Sequence, residues 1–345
     1  MPENHPEHRT GQRKLRHIEA CLDPTVDRGV DSFAGWKLRY TALPEMALED
    51  VRLECEFAGK AISAPLIIAS MTGGAGEPFT AINRNLAIAA EALQIPLGLG
   101  SMRVALEDPA ARESFRVRQH APTAPIIANL GLVSFNYGLG MDDVRRVLDW
   151  AEPDALALHL NALQEVIQEG GDTNFRRLFG VLEKLLAEVP VPIYVKECGG
   201  GIAPELVARL AGMGVPCIDV SGNDGTSWAA VEALASNDPS LGDLFRDFGL
   251  PTAWILERLP AEGFQSSRIV ASGGIRNGVQ AAKALALGAD YVSVARPFLA
   301  AAMASAEAAQ GVAEGIIQAM RIALFLCGVR TPEQLGRAHL LRVGS

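Results

Sequence analysis

The chain has 345 residues, of which 49% are hydrophobic and 21% charged, a composition that supplies a large core and excludes a disordered chain; the length suits one elaborated (β/α)8 barrel, which needs roughly 250 residues before insertions. A net charge of −9 argues against nucleic-acid binding, whose domains are basic, and means that an anionic substrate must meet positive charge gathered in one pocket. The five cysteines (Cys21, Cys55, Cys198, Cys217 and Cys327) form no CxxC pair, which argues against a disulfide framework or structural zinc and fits free thiols in a reducing cytoplasm.

Met1 to Arg16 is polar and lacks the apolar stretch of a secretory signal. No apolar run approaches the roughly 20 residues that span a bilayer, so no membrane partner is expected. Residues 1–12 read as a flexible tail. Residues 13–60 mix short helical and extended pieces, an N-terminal extension packed on the main domain that occupies 61–345. Within the extension, Arg13, Lys14, Arg16 and His17 form a basic knot. It is either a solvated surface cluster or a clamp folded over the barrel mouth.

Eight apolar runs follow, at 66–70, 96–100, 126–129, 155–160, 193–196, 217–220, 269–272 and 290–295. Continuous apolar runs suit parallel strands buried on both faces. Helical stretches of alanine, leucine and charge separate them, as βαβ units require. Eight units close an α/β TIM barrel, whereas an open doubly wound sheet would more usually hold five or six strands. Between the sixth and seventh runs, residues 229–268 carry an extra helical insertion. Beyond Ala300 the tail is helical, with a clear apolar face from Gly315 to Cys327.

Barrel chemistry sits at the C-terminal strand ends, and each run here ends in a polar or glycine cluster. Gly273-Gly274, with Arg276 and Arg296 nearby, suits a phosphate held by loops seven and eight, helped by Ser221 and Thr226 in loop six; tight turns alone would also want the glycines. Lys196 ends an apolar strand, a costly position unless paired or solvated, and is suited to balancing a cofactor that becomes negative on reduction. Asn129 either bonds a flat heterocycle or caps the next turn. His159, Asn161, Gln164 and Glu165 lie within seven residues. A single carboxylate such as Glu165, beside a substrate phosphate, is the kind of ligand magnesium accepts.

These pieces resemble the type 2 isopentenyl-diphosphate delta-isomerases. The matching motifs are RKLRHI (13–18), MTGG (71–74), GSMR (100–103), NLG (129–131), HLNALQE (159–165), VKE (195–197), GTSW (225–228), ASGGIRNG (271–278), AKALALGAD (282–290) and ARP (295–297), in family order. HxNxxQE with the N-terminal Arg-Lys is the specific part; the GGxR and Lys elements also resemble FMN barrel oxidoreductases at large and specify only the cofactor. The resemblance implies that Met71, Thr72, Gly73, Ser101, Asn129, Lys196, Ser221, Thr226, Gly274, Arg276, Ala295 and Arg296 line FMN, with Ser70 adjoining. It implies that Arg13, Lys14, Ser101, Met102, Arg103, His159, Asn161 and Gln164 meet the substrate diphosphate, and that Glu165 binds Mg2+. Gln164, His159 and Lys196 are the expected catalytic residues, NADPH the expected reductant of the flavin, and a tetramer or octamer the expected homo-oligomer. The implied reaction interconverts isopentenyl and dimethylallyl diphosphate in isoprenoid biosynthesis, through proton addition and elimination at reduced FMN.

Two positions depart from the family pattern. Asp224 stands where a glycine is usual, and Ser70 where a small residue such as alanine is common. Aspartate tolerates a positive φ, so the turn at 224 can survive, but its charge weakens binding of a phosphate unless it points away. A rival 2-hydroxy-acid oxidase or dehydrogenase would want a histidine base in loops six or seven, and there is none.

Overall fold

Each of the eight apolar runs supplies one strand of a closed parallel barrel. The computed structural model describes residues 16–236 and 239–343. The barrel strands are β4 (Leu66–Ile68), β5 (Leu97–Gly98), β6 (Ile126–Gly131), β7 (Ala155–Leu160), β8 (Ile193–Glu197), β9 (Cys217–Asp219), β10 (Arg268–Ala271) and β11 (Tyr291–Val294), paired in chain order and closed by β11 against β4. Alternation divides their side chains. Ile67, Ile127, Ala157, Tyr194 and Val270 fill the interior, while Leu66, Ile68, Leu97, Leu156, Leu158 and Val195 join the larger core beneath the helices.

Two strand ends correct the sequence reading. Asn129 is not the end of its strand, because the β6–β7 ladder continues through Leu130 and Gly131, which pairs with His159. Lys196 is likewise followed by a paired Glu197. Most other strands are shorter than their runs, since the last residues leave the ladder to build rim loops. After β5, for example, Gly100 N donates to Thr72 O and Met102 N to Asn129 O.

The N-terminal segment is stitched to both ends of the barrel. Residues 16–22 are helical. β1 (Trp36–Leu38) pairs antiparallel with β12 (Leu340–Arg342), tying the start of the chain to its end. β2 (Cys55–Phe57) and β3 (Lys60–Ile62) form a hairpin across the bottom of the barrel, so a division at 60/61 falls inside β3. Phe57 and Ile62 plug the interior there. The Phe57 ring meets Tyr291 at 5.5 Å and Tyr194 at 6.4 Å between centroids, both edge-on.

The expected insertion contains the helices Trp228–Ala235, Ser240–Leu244 and Thr252–Arg258. The final helix, Ala306–Cys327, begins earlier than its apolar face suggested. Against the expectation that no apolar run nears bilayer length, it is long and apolar enough by composition to cross a membrane. Here it packs Ala309, Ala313, Ile316, Met320 and Leu324 against the helices Glu77–Leu93 and Gly278–Ala286.

Candidate active site at the barrel rim

Loops six and seven are locked together at one side of the rim. A Cβ on Gly273 would strike Gly222 O, and one on Gly274 would strike the Asp224 Cβ, while both glycines hold positive φ (89° and 76°). Their freedom is therefore used for packing loop on loop. Below them Asp219, 1% exposed, accepts from Ser272 Oγ at 2.5 Å, Tyr194 Oη at 2.8 Å and Ser221 N at 3.1 Å. Burial raises its pKa above the ordinary aspartate value, against the pull of Lys196 and these bonds.

Asp224 points away from the rim. Its Oδ2 accepts from Ser32 Oγ at 2.5 Å and from Thr252 N at 2.9 Å. The non-glycine residue of this loop with a positive φ is Ser221, at 40°, so the left-handed turn expected at Asp224 lies three residues earlier.

The anion-accepting features of the rim are specific. The helix Gly278–Ala286 is closed by its own Asn277, whose side chain accepts from Val279 N and Gln280 N. The helix Arg296–Ala304 has Ala295 at its N-cap and no side-chain cap; Pro297 has no N–H and Phe298 N donates to Ala295 O at 2.9 Å, so the open amide of its first turn is that of Arg296. Lys196 is 8% exposed and donates to Glu197 O at 2.7 Å. Burial opposes its charge, but Cys198, Asp219 and Glu197 outweigh burial and hold the ammonium above the ordinary lysine pKa. Among the described residues no cation pairs with the Glu197 carboxylate. Its Oε2 accepts the amides of Gly199, Gly200 and Gly201 and shapes loop five. A permanent cation, Ser221 and an uncapped helix end on one rim fit a phosphorylated cofactor that becomes anionic.

The second half of the rim gathers the HxNxxQE side chains. Asn161 donates to Glu165 Oε1 at 2.7 Å, and its own Oδ1 is buried without a partner among the described residues. Glu165 Oε2 accepts Asp172 N at 2.7 Å. Asn129 donates to Leu99 O at 3.1 Å and meets His159 Nδ1 at 2.9 Å through Oδ1. Arg103 bonds Glu107 at 2.8 Å and also pairs with Asp172. Among the described residues no group of three or more His, Cys, Asp or Glu is placed to hold a metal.

Two further residues complete this half. Gln164 Nε2 donates to Glu232 Oε1 at 2.9 Å, and Glu232 Oε2 lies 3.3 Å from His17 Nε2. The His17 ring stands edge-on to Trp228 at 5.7 Å. Glu232 was missed by sequence reasoning, although a signal existed: it is the one charged residue in the helix WAAVEALA.

Other expected residues are placed less directly. Ser70, Met71, Ser101 and Thr226 are partly exposed at the rim, and Thr72 and Gly73 are buried there. Gly73 backs onto the Phe115 ring, which a Cβ would strike. Met102 does not face the rim: its side chain is 0% exposed in the core, and its amide supports Asn129 from behind. Arg276 and Arg296 turn to the N-terminal segment, both reaching Asp27, at 2.5 and 2.7 Å. Arg13 and Lys14 lie outside the described residues.

The profile of the FMN-dependent dehydrogenase family matches residues 150–342. The chain is 42% identical to an isopentenyl-diphosphate delta-isomerase of Oceanobacillus iheyensis, covering 94% of each chain. It is 45% identical to an isopentenyl-diphosphate delta-isomerase of Deinococcus radiodurans, covering 92% of this chain and 94% of that one. Among solved structures, a flavocytochrome b2 variant superposes with a TM-score of 0.69 at 16% identity, covering 97% of this chain and 85% of that one. A mandelate oxidase superposes with a TM-score of 0.65 at 20% identity, covering 96% and 93%. At these identities the structural likeness speaks for the barrel alone.

Proposed function

The chain belongs to the type 2, FMN-dependent isopentenyl-diphosphate delta-isomerase family, interconverting isopentenyl and dimethylallyl diphosphate in isoprenoid biosynthesis, and from that premise we propose how its own residues divide the work. The observation that carries the proposal is the partly buried line His17–Glu232–Gln164, which ends beside Asn161.

Moving the double bond adds a proton at the terminal alkene carbon and removes one on the other side, with no net redox change. Reduced FMN, when bound, supplies a flat, electron-rich surface with an exchangeable proton at N5. Lys196, Ser221, Thr226 and the open amide of Arg296, next to Ala295, would hold it, with Met71, Thr72, Gly73, Asn129 and Gly274 as neighbouring wall. The Lys196 ammonium balances its negative charge. Glu232 fixes the Gln164 amide through Oε1, and its Oε2 lies within hydrogen-bond distance of His17 Nε2, so the amide that faces the substrate is held from behind by two elements. Buried groups fixed in advance act more strongly than solvated ones. Arg103, His159 and Asn161, joined by Arg13 and Lys14, would grip the diphosphate, and Glu165 would hold Mg2+ against it. Binding energy from that distant anion positions the reacting carbons.

NADPH is the proposed reductant and the cytoplasm the proposed compartment, a setting that suits five free thiols. A homo-oligomer, tetramer or octamer, is supported by an apolar surface around the helix Ser240–Leu244, where Leu241, Leu244 and Phe248 are exposed. The dehydrogenase chemistry of the structural neighbours is not proposed, because residues 221–227 and 272–277 contain no histidine base.

Redox bookkeeping tests the reading. Anaerobic enzyme whose flavin has been reduced once should turn over isopentenyl diphosphate many times without consuming further reductant. In D2O the product should carry solvent deuterium, and oxidised enzyme should be nearly inactive. Product formed one for one with NADPH consumed would sink the isomerase mechanism.

A further inference from the structure

Arg276 and Arg296 follow the strand ends of loops seven and eight, where a phosphate ligand would want them, yet their donors are committed elsewhere. Arg296 donates from Nε to Cys21 O at 3.1 Å, from Nη1 to Asp27 Oδ2 at 2.7 Å, and from Nη2 to Leu22 O at 3.2 Å and Asp23 O at 3.1 Å. Every one of those acceptors belongs to the segment 21–27. Arg276 donates to Asp27 Oδ1 at 2.5 Å and Val30 O at 3.1 Å on the same segment, and to Gly274 O at 2.8 Å and Asp224 O at 2.9 Å on loops seven and six. Asp27 thus sits between two guanidinium groups, each pairing with a separate carboxylate oxygen.

The segment itself meets loop six through an isolated antiparallel bridge. Asp27 bridges Thr226, with Ser227 N donating to Val26 O at 2.8 Å and Arg28 N to Gly225 O at 3.2 Å. Upstream, the same segment carries His17 to Glu232. Val26 and Ala20 are buried against Ala230 and Val231 of the helix that bears Glu232. Only a fastened segment keeps a partly buried imidazole 3.3 Å from that carboxylate.

We propose that Asp27, Arg276 and Arg296 form a latch that fastens residues 16–30 as a strap across the barrel mouth, making all three positioning residues for His17 and hence for the substrate end of the site. The arginines serve the strap and not the cofactor phosphate, which is left to backbone amides. Burial works against the Asp27 charge, but the hydrogen bonds from Arg276, Gly29 and Arg296 overcome it and hold its pKa below the ordinary aspartate value. The carboxylate therefore stays ionised, as a latch at neutral pH requires. The kinetic side of the proposal rests on the isomerase reading above.

The test compares FMN-loaded wild type with Asp27→Asn, Asp27→Glu and Arg296→Gln. Asp27→Asn should raise KM for isopentenyl diphosphate about tenfold and leave the FMN dissociation constant within about twofold of wild type. Native-state trypsin cleavage after Arg16 or Arg28 should accelerate about tenfold, because strap opening exposes those bonds. Asp27→Glu should restore much of both, and Asp27→Asn with Arg296→Gln should be no worse than either alone, as for two halves of one contact. FMN affinity lost more than tenfold with KM unchanged would return the arginines to the cofactor and overturn the latch. Unchanged cleavage would overturn it as well. If wild-type enzyme failed to isomerise at all, the isomerase reading would fall, while the cleavage rates would still decide the latch.

Discussion

Glu232 is a carboxylate in a helix of alanines, 5% exposed, and both of its oxygens have partners on other elements. Glu165 has similar chemistry but different surroundings: its oxygens take an amide hydrogen of Asn161 and the backbone N–H of Asp172, both beside the residues proposed to grip the diphosphate. The two carboxylates are therefore separable by substitution. Glu232→Gln should lower turnover about 100-fold, the lower end of what a misplaced proton-handling group costs, because Gln164 loses the carboxylate that fixes its amide, with FMN still bound and the magnesium requirement unchanged. Glu165→Gln should instead raise the magnesium concentration needed for half-maximal rate, because a neutral ligand loses most of its attraction for the cation. A magnesium titration of each variant, read with its flavin spectrum, checks both. Equal magnesium dependence in Glu165→Gln and wild type would reduce Glu165 to a helix-start residue. The HxNxxQE residues were legible because they are neighbours in sequence. Glu232 was missed, because its partner Gln164 is 68 positions away and the one local signal, a lone charge in an alanine-rich helix, does not say which residue it meets.

Loop six shows how an element absorbs a departure from its family pattern. A glycine at 224 would carry no charge; the aspartate here is buried and engaged by the protein itself, joining Ser32 of the N-terminal segment to the first amide of the helix Thr252–Arg258. A carboxylate at the start of a helix is favoured by the helix dipole as well as by the hydrogen bond. Asp224→Ala should cost about 1–3 kcal/mol of stability, because it leaves the Thr252 amide and the Ser32 hydroxyl in need of partners. Chemical denaturation should show that loss with little change in FMN affinity. A large fall in FMN affinity without loss of stability would mean that the charge is engaged with the cofactor after all. The sequence alone posed the question of whether the charge points away. The answer required the pairing of residues 32 and 224, which lie 192 positions apart.

Across the whole molecule, the two ends of the barrel divide stability from chemistry. The bottom is closed by Phe57 and Ile62 with Tyr194, Tyr291 and Val270, while the polar clusters face the other way. Phe57→Ala should therefore cost about 3–5 kcal/mol by opening a cavity in the interior. Folded molecules of the variant should keep wild-type FMN content and turnover, so a fall in turnover per bound flavin matching the loss of stability would contradict this division. The eight strands and the loops that follow them were determined by the sequence, because burial on both faces demands continuous apolar runs and such runs are visible residue by residue. Family motifs at the strand ends likewise located most of the rim. The extension's β2–β3 hairpin closing the bottom, the tie of β1 to β12, the engagement of Asp224 by Ser32 and Thr252, the Glu232 line and the grip of Asp27 on two arginines were decided by tertiary structure. Each depends on charges, hydroxyls or rings brought together from distant positions, and a hydrogen bond between remote residues leaves no periodic trace along the chain.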